Sequence, residues 1–344
     1  MAKQPKIDIR TSPYIRKAPT VAEIMRNVVY ALLPIAAYAI YQFGISALAL
    51  MIISVLSCVG TEHLFCKLSE KKTTIGDASA IITGLLLAMT LPPGFPLWMA
   101  AVAGFIAIAM GKTLFGGIGF NVFNPALVGR AFIQAAFPVS ITTWTPALAT
   151  NRFIEFIPST LAMPFMKPAA TAEWSTQVSL DGFTGATPLA LMKFQGIMTD
   201  SVDLFLGLTA GSAGETSSLL ILICGIYLVA KKMLDWRIPA AVILGTVITT
   251  ECFYLMDNTL YPSPAFMLFS GGLMFAAVFM ASDMVASPVT PLGILVFGLL
   301  VGFLTVIIRL FGGLTEAVMY AILFGNAATP LIESYTQPRI YGGK

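Results

Sequence analysis

Residues 181–187 read DGFTGAT, placing one carboxylate, two glycines and two threonine hydroxyls within seven positions. A threonine hydroxyl flanked by small residues is an accessible attachment point for a phosphoester, expected here to be exposed, and glycine lets an incoming group approach the backbone. A nearby acid, here Asp181, could bind the metal of a modifying enzyme or accept the hydroxyl proton. Composition alone makes the stretch a turn in a surface loop. The surrounding segment is long, and loops beyond about 15 residues are usually functional or disordered. Its aromatics, Trp144, Phe153, Phe156, Phe165, Trp174 and Phe183, argue against plain disorder.

Other residues with chemistry lie inside apolar stretches. Ionisable groups at membrane depth are functional candidates by default. Arg130 and Glu215 fall deepest, and Glu215 stands in the interrupted stretch LFLGLTAGSAGETSS. It is the candidate for a cation pathway, and a structural ion pair with Arg130 is the equal alternative. Glu62, His63, Asp77 and Asp283 fall near span ends, where solvation explains them. Asn124-Pro125 reads as a helix cap followed by a first-turn proline. That helix starts beside GGIGFN, and a helix N-terminus within the protein suits anionic or carbonyl groups. No strand precedes the glycines, which excludes a dinucleotide-binding fold. Cys58, Cys66, Cys224 and Cys252 all sit in apolar segments without a CxxC pair, and His63 is the sole histidine. The expectation is small hydrophobes rather than metal or cluster ligands, with no metal site and no catalytic residue in this chain alone.

The elements that must position these residues are membrane spans. The chain has 344 residues, 57% hydrophobic and 11% charged, with a mean hydropathy of +0.84. Soluble domains carry about 25% charged residues. Apolar runs long enough to cross a bilayer recur, at 27–43, 45–66, 78–92, 97–113, 124–138, 203–232, 238–256, 264–281, 291–309 and 315–332. The first is too long for a signal-peptide core and lacks a cleavage site. Basic residues cluster in the N-terminal tail, at Lys67, Lys71 and Lys72, at Lys231, Lys232 and Arg237, and at Arg339 and Lys344. With ten spans all four clusters share one face, the cytoplasm by the positive-inside rule. Loop 139–202 then lies outside. Nothing suggests nucleic acid; lipid is the surrounding partner.

An internal repeat supports this count. PLWMAAVAGFIAIAMGKTLFGG (96–117) resembles PLGILVFGLLVGFLTVIIRLFGG (291–313), and each precedes a short apolar segment marked by Asn124 or Asn326. The two copies run in opposite senses, which predicts an all-α polytopic protein of about ten transmembrane helices in a 5+5 inverted repeat. Its parts are a cytoplasmic tail (1–26), a first five-span repeat (27–138), an outer loop (139–202), a second repeat (203–332) and a cytoplasmic C-terminal tail (333–344).

DGFTGAT resembles the flavinylation motif, roughly Asp-Gly-x-Ser/Thr-Gly-Ala-Thr, in which the last threonine takes FMN through its phosphate. On this chain the acceptor is Thr187, and Asp181, Gly182, Thr184, Gly185 and Ala186 form the recognition sequence. The length, the span pattern, GGIGFNVFNPALVGRAF at 116–132 and the outer motif resemble the D-type subunit of the Rnf electron-transport complex, end to end. The B-type subunit of the sodium-pumping NADH:quinone reductase shares the motif, but usually has a longer N-terminal region than the 26 residues found before the first span. Where related Rnf proteins often read NPFNPA, this chain has NVFNPA. The resemblance implies a urea-transporter-like fold and a cytoplasmic (inner) membrane of a bacterium or archaeon. It implies electron transfer between ferredoxin and NAD coupled to sodium or proton translocation. Partners would be the other Rnf subunits, among them a second flavin carrier and iron–sulfur subunits, with a flavin transferase for maturation. The family also binds riboflavin non-covalently, for which Asn121, Phe123 and Asn124 are the candidates. A small-solute channel of the same fold is the competing reading, and it leaves the motif without a use.

Overall fold

The computed structural model describes residues 20–70, 74–166, 168, 171, 174, 186–207, 209, 211–215, 217–258, 260–313 and 315–338. Helix α1 (Val21–Phe43) starts six residues before the first apolar run, because Thr20 caps it by accepting from the Glu23 N–H at 3.3 Å. That polar first turn continues the helix beyond its apolar part. A single residue, Gly44, turns the chain into α2 (Ile45–Leu68). Next come α3 (Ser79–Thr90) and α4 (Leu97–Ile108), the latter continued by a π-helical turn at Ala109–Thr113. Helices α5 (Pro125–Ala136) and α6 (Pro138–Ile141) close the first half.

The second half opens with α7 (Pro188–Gln195), α8 (Ser201–Leu206) and α9 (Ser218–Ala230). The expected interruption of the sixth span falls between α8 and α9. Its backbone is shielded by the end of α3: the Ala213 N–H donates to the Leu91 carbonyl at 3.2 Å, and the Gly214 N–H to that of Met89 at 2.7 Å. Irregular backbone is tolerated at membrane depth on this condition. Helix α10 (Arg237–Met256) is continuous. The stretch expected as one span at 264–281 is instead broken into α11 (Pro264–Phe269) and α12 (Leu273–Phe275), with a π-helical turn at Ala276–Met280. The break sits at Gly271, whose φ of 63° is one that glycine adopts without strain. Helices α13 (Pro291–Phe311) and α14 (Val318–Thr336) complete the chain.

The described residues are wholly helical outside loops and turns. Among the described residues four helices, α1, α2, α10 and α13, are long and apolar enough to cross a membrane by themselves. Small residues bring the last two together. A Cβ on Gly302 would stand 2.5 Å from the Thr246 nitrogen, and one on Gly298 would strike Ala241. This is the close helix approach that lipid-embedded packing relies on.

Two hydrogen bonds fix the ends of the assembly. Tyr227, near the end of α9, donates to Asn27 Oδ1 near the start of α1 at 3.0 Å. At the other end of α1, Gln42 donates to the Gly207 carbonyl at 2.6 Å. The loop after α6 folds over that second end: the Leu148 N–H donates to the Gln42 carbonyl at 2.9 Å, and the Ile157 N–H to Ser46 Oγ at 2.9 Å. Lys67, Lys231 and Lys232 thus lie at the opposite end from this loop.

Candidate functional site

Thr187 is the N-cap of α7. Its side chain accepts from the Ala190 N–H at 3.3 Å, and Pro188 occupies the first helical position. The sequence reading of an exposed acceptor is corrected here: Thr187 is only 4% accessible. The cause is tertiary, since α7 lays Leu189 against the Gly271 break and turns its first residues inward. Asp181, Gly182, Thr184 and Gly185 lie outside the described residues; Ala186 is described.

Two cavities meet near this cap. One, of about 10 Å3, has Thr187, Thr209, Gly211, Glu215, Gly271 and Glu316 among its walls, beside apolar side chains. The other, of about 300 Å3, is lined by Ala186, Ala190, Trp144, Phe194 and Glu316 among others. A cleft of that size with aromatic walls lies at the low end of ordinary small-molecule sites.

Beneath the cap is a buried charge cluster joining the two halves. Arg130 on α5 donates to Glu316 and to the Thr90 carbonyl, and its Nη1 lies 3.7 Å from Glu215 Oε1. The ion pair weighed for Arg130 and Glu215 is therefore present, with Glu316 as a second acid that sequence reasoning missed. Glu316 follows the second LFGG landmark by only three residues, which was the available signal. Arg309 on α13 is also buried, donating to the Met267 carbonyl at 2.6 Å and the Ser270 carbonyl at 3.0 Å. Lys193 of α7 donates to the Arg309 carbonyl at 2.8 Å and to that of Gly312. It thereby caps the C-terminus of α13 and pins α7 there.

At the other end lies an open cavity of about 140 Å3, mostly apolar, with Ser79, Lys112, Asn121, Asn124 and Asp283 as polar points. Asn124 caps α5 as expected, accepting from the Ala126 N–H at 3.0 Å, and donates to the Met280 carbonyl at 3.2 Å. Asn121 donates to Asp283 Oδ2 and to the Phe123 carbonyl, both at 3.3 Å. Phe123 does not line the cavity. With the Asn326 amide oriented to satisfy both its ends, its oxygen accepts from the Asn124 N–H at 3.2 Å. The two repeat landmarks meet.

Glu62 was read as solvated near a boundary, and this too is corrected. It is buried and paired with Lys112 at 2.6 Å, while Lys112 also donates to Ser79 Oγ at 2.6 Å. The π-helical turn carrying Lys112 points it inward from what reads as a span end. Among the cysteines, Cys58 and Cys224 are buried as expected, whereas Cys66 is half-buried and Cys252 exposed on its helix.

A multi-pass helical protein with broken helices and charge clusters at the breaks belongs to the class of membrane translocation machinery. The model of the NQR2, RnfD, RnfE family matches residues 8–342, and the chain belongs to that family. It is 40% identical to the D-type subunit of the proton-translocating ferredoxin:NAD(+) oxidoreductase complex of Clostridium ljungdahlii, covering 97% of this chain and 96% of the relative. It is 42% identical to the D-type subunit of the Na(+)-translocating ferredoxin:NAD(+) oxidoreductase complex of Acetobacterium woodii, covering 98% and 95%. A third relative, the D-type subunit of the ion-translocating oxidoreductase complex of Actinobacillus succinogenes, is 36% identical over 97% of each chain. The resemblance to the D-type Rnf subunit drawn from the sequence is borne out across nearly the whole chain.

Proposed function

We propose that the chain is the flavin-bearing D-type subunit of an ion-translocating ferredoxin:NAD(+) oxidoreductase, working in a membrane complex with iron–sulfur subunits and a second flavin carrier. The three relatives' names support the subunit assignment, the first two also the ferredoxin:NAD(+) couple, while the flavin rests on the DGFTGAT motif. FMN would be joined to Thr187 through its phosphate by a flavin transferase, with the DGFTGAT residues as the recognition sequence. The observation that carries this reading is the place of Thr187 beside the 300 Å3 cleft next to Ala186. Trp144 and Phe194 would flank a planar ring there, while the 10 Å3 cavity is far too small for one.

When bound, FMN supplies reversible electron transfer. The chain's own part is to fix the anchor on α7, hold α7 against α13 through Lys193, and keep water from the buried charges below. A tether also keeps the flavin at high effective concentration near its redox partner. At the opposite end, Asn121 and Asn124 with Asp283 and Lys112 offer donors and acceptors to a non-covalent riboflavin ring system. Glu215 is placed on the ion pathway in this reading.

The architecture proposed is a 5+5 inverted repeat of urea-transporter type in a bacterial or archaeal cytoplasmic membrane. Its support is internal. Each half has a buried base just before LFGG that donates to a serine at a helix end, Lys112 to the Ser79 hydroxyl at the start of α3 and Arg309 to the Ser270 backbone carbonyl at the end of α11. Both termini would be cytoplasmic and the Thr187 loop outside, in keeping with the lysines at the end opposite loop 142–166.

The test is ferredoxin-driven NAD reduction by membranes holding assembled complex with Thr187→Ala. Loss of electron flow with normal assembly is expected. Full activity with ion transport intact would make the flavin dispensable and overturn the proposal.

A further inference from the structure

We infer that Glu215 and Glu316 form a binding site for one monovalent cation, a proton or a sodium ion, which neutralises the phosphoester at Thr187. The inference rests on the reading of Thr187 as the flavin anchor and extends it to residues that no motif marks. Three observations carry it.

The first is charge. Glu215, Glu316, Arg130 and Arg309 are all buried or nearly so, and two acids against two guanidinium groups balance. A phosphoester joined to both threonine and flavin adds one negative charge. Thr187 shares the walls of the small cavity with both glutamates, so that charge arrives next to a balanced cluster and leaves it one positive charge short. An unbalanced buried charge is strongly disfavoured. One monovalent cation restores neutrality.

The second is an open coordination position. Arg130 engages Glu316 Oε2 and faces Glu215 Oε1, whereas the other oxygens, Glu215 Oε2 and Glu316 Oε1, are buried and lack a partner at hydrogen-bond geometry among the described residues, with Ser212 the nearest donor to Glu215. Glu215 and Gly211 both wall the small cavity, and a Cβ on Gly211 would stand 4.0 Å from Glu215 Oε2, which places this oxygen beside the cavity wall.

The third is size and ligand chemistry. A cavity of about 10 Å3 admits one water-sized occupant, and its polar walls are carboxylate, threonine and glycine backbone, with Pro188, Leu189 and Phe269 as its apolar side. The polar walls offer oxygen ligands of the kind suited to a hard cation or a shared proton. Gly272 leaves room for the Glu215 carboxylate beside the cavity, because a side chain there would collide with Glu215 Oε1.

The experiment uses the full-length chain made with its flavin transferase and purified in detergent, with fluorescence of the denatured band recorded first. Radioactive sodium binding is measured with sodium chloride as the only added salt. Infrared spectra of glutamate-labelled chain report protonated carboxyl groups. The inference predicts one sodium ion per fluorescent chain, or else one protonated glutamate. Glu215→Gln and Glu316→Gln should each abolish that signal, and glutamine, being neutral, should leave the flavin attached. Thr187→Ala should abolish it too, by removing the charge to be balanced. A fluorescent wild-type chain with no bound sodium and no protonated glutamate would overturn the cation site. So would a signal that survives in either glutamine variant or in Thr187→Ala. A wild-type band without fluorescence would instead overturn the anchor, and with it the charge count.

Discussion

Arg130→Met removes the side chain that, among the described residues, pairs with both acids of the buried cluster. Arg130 is 4% exposed and engages Glu316, the Thr90 carbonyl and, at 3.7 Å, Glu215. Two magnitudes compete for the outcome. Polar contacts between membrane helices average only about 0.6 kcal/mol in mutational cycles, which for three contacts gives roughly 2 kcal/mol. Removing one partner of a buried ion pair costs about 3–5 kcal/mol, because the opposite charge is left uncompensated. The second effect should dominate, since Arg309 is committed to two carbonyls and would face two glutamates alone. The expected loss is about 3 kcal/mol, roughly a hundredfold in the folding constant. Unfolding of the purified chain in mixed detergent micelles, followed by tryptophan fluorescence, measures it. The double variant Arg130→Met/Glu316→Gln removes one charge of each sign and should regain about half of the loss. A single-variant loss below about 1 kcal/mol, or a double variant no more stable than the single, would refute the argument from uncompensated charge.

Three further outcomes are expected. Lys193→Met should loosen α7 from α13, lowering stability by about 1.5–3 kcal/mol through two lost charge-assisted bonds, whereas Lys193→Arg keeps most of it; the same denaturation assay reads both. Gly302→Val should prevent α10 and α13 from approaching, costing at least about 1–3 kcal/mol by overpacking and visible as loss of the folded monomer on size exclusion. A cysteine at the exposed Glu155, in a background lacking Cys66 and Cys252, should react with an impermeant thiol reagent in intact cells; labelling only after membrane disruption would reverse the topology.

The continuous spans were legible because hydropathy alone determines them: α2, α10 and α13 begin and end within two residues of the apolar runs. The interruption between α8 and α9 was legible from its glycines and hydroxyls. The break at Gly271 was not, since LFSGGLMF keeps its apolar character through the turn. Asn124 was readable as a cap because capping is local, within two residues. The pairing of Glu62 with Lys112, 50 residues apart, and the sharing of Arg130 by Glu316, 186 residues apart, are set by tertiary packing and have no local signal. Thr187 was readable as chemistry and misread as geometry. Its residue type and neighbours are local, while its burial depends on α7 docking against a helix break at Gly271, 84 residues downstream.

The central claim is tested most directly by the denatured polypeptide itself. Chain made with the flavin transferase should give a fluorescent band on a denaturing gel, with one FMN, less water, added to the mass of the peptide bearing Thr187. Thr187→Ala should be dark at equal protein load. Thr187→Ser keeps the hydroxyl and the cap, so it should retain part of the signal. An undiminished band in Thr187→Ala, or an unmodified Thr187 peptide in the wild type, would contradict the account.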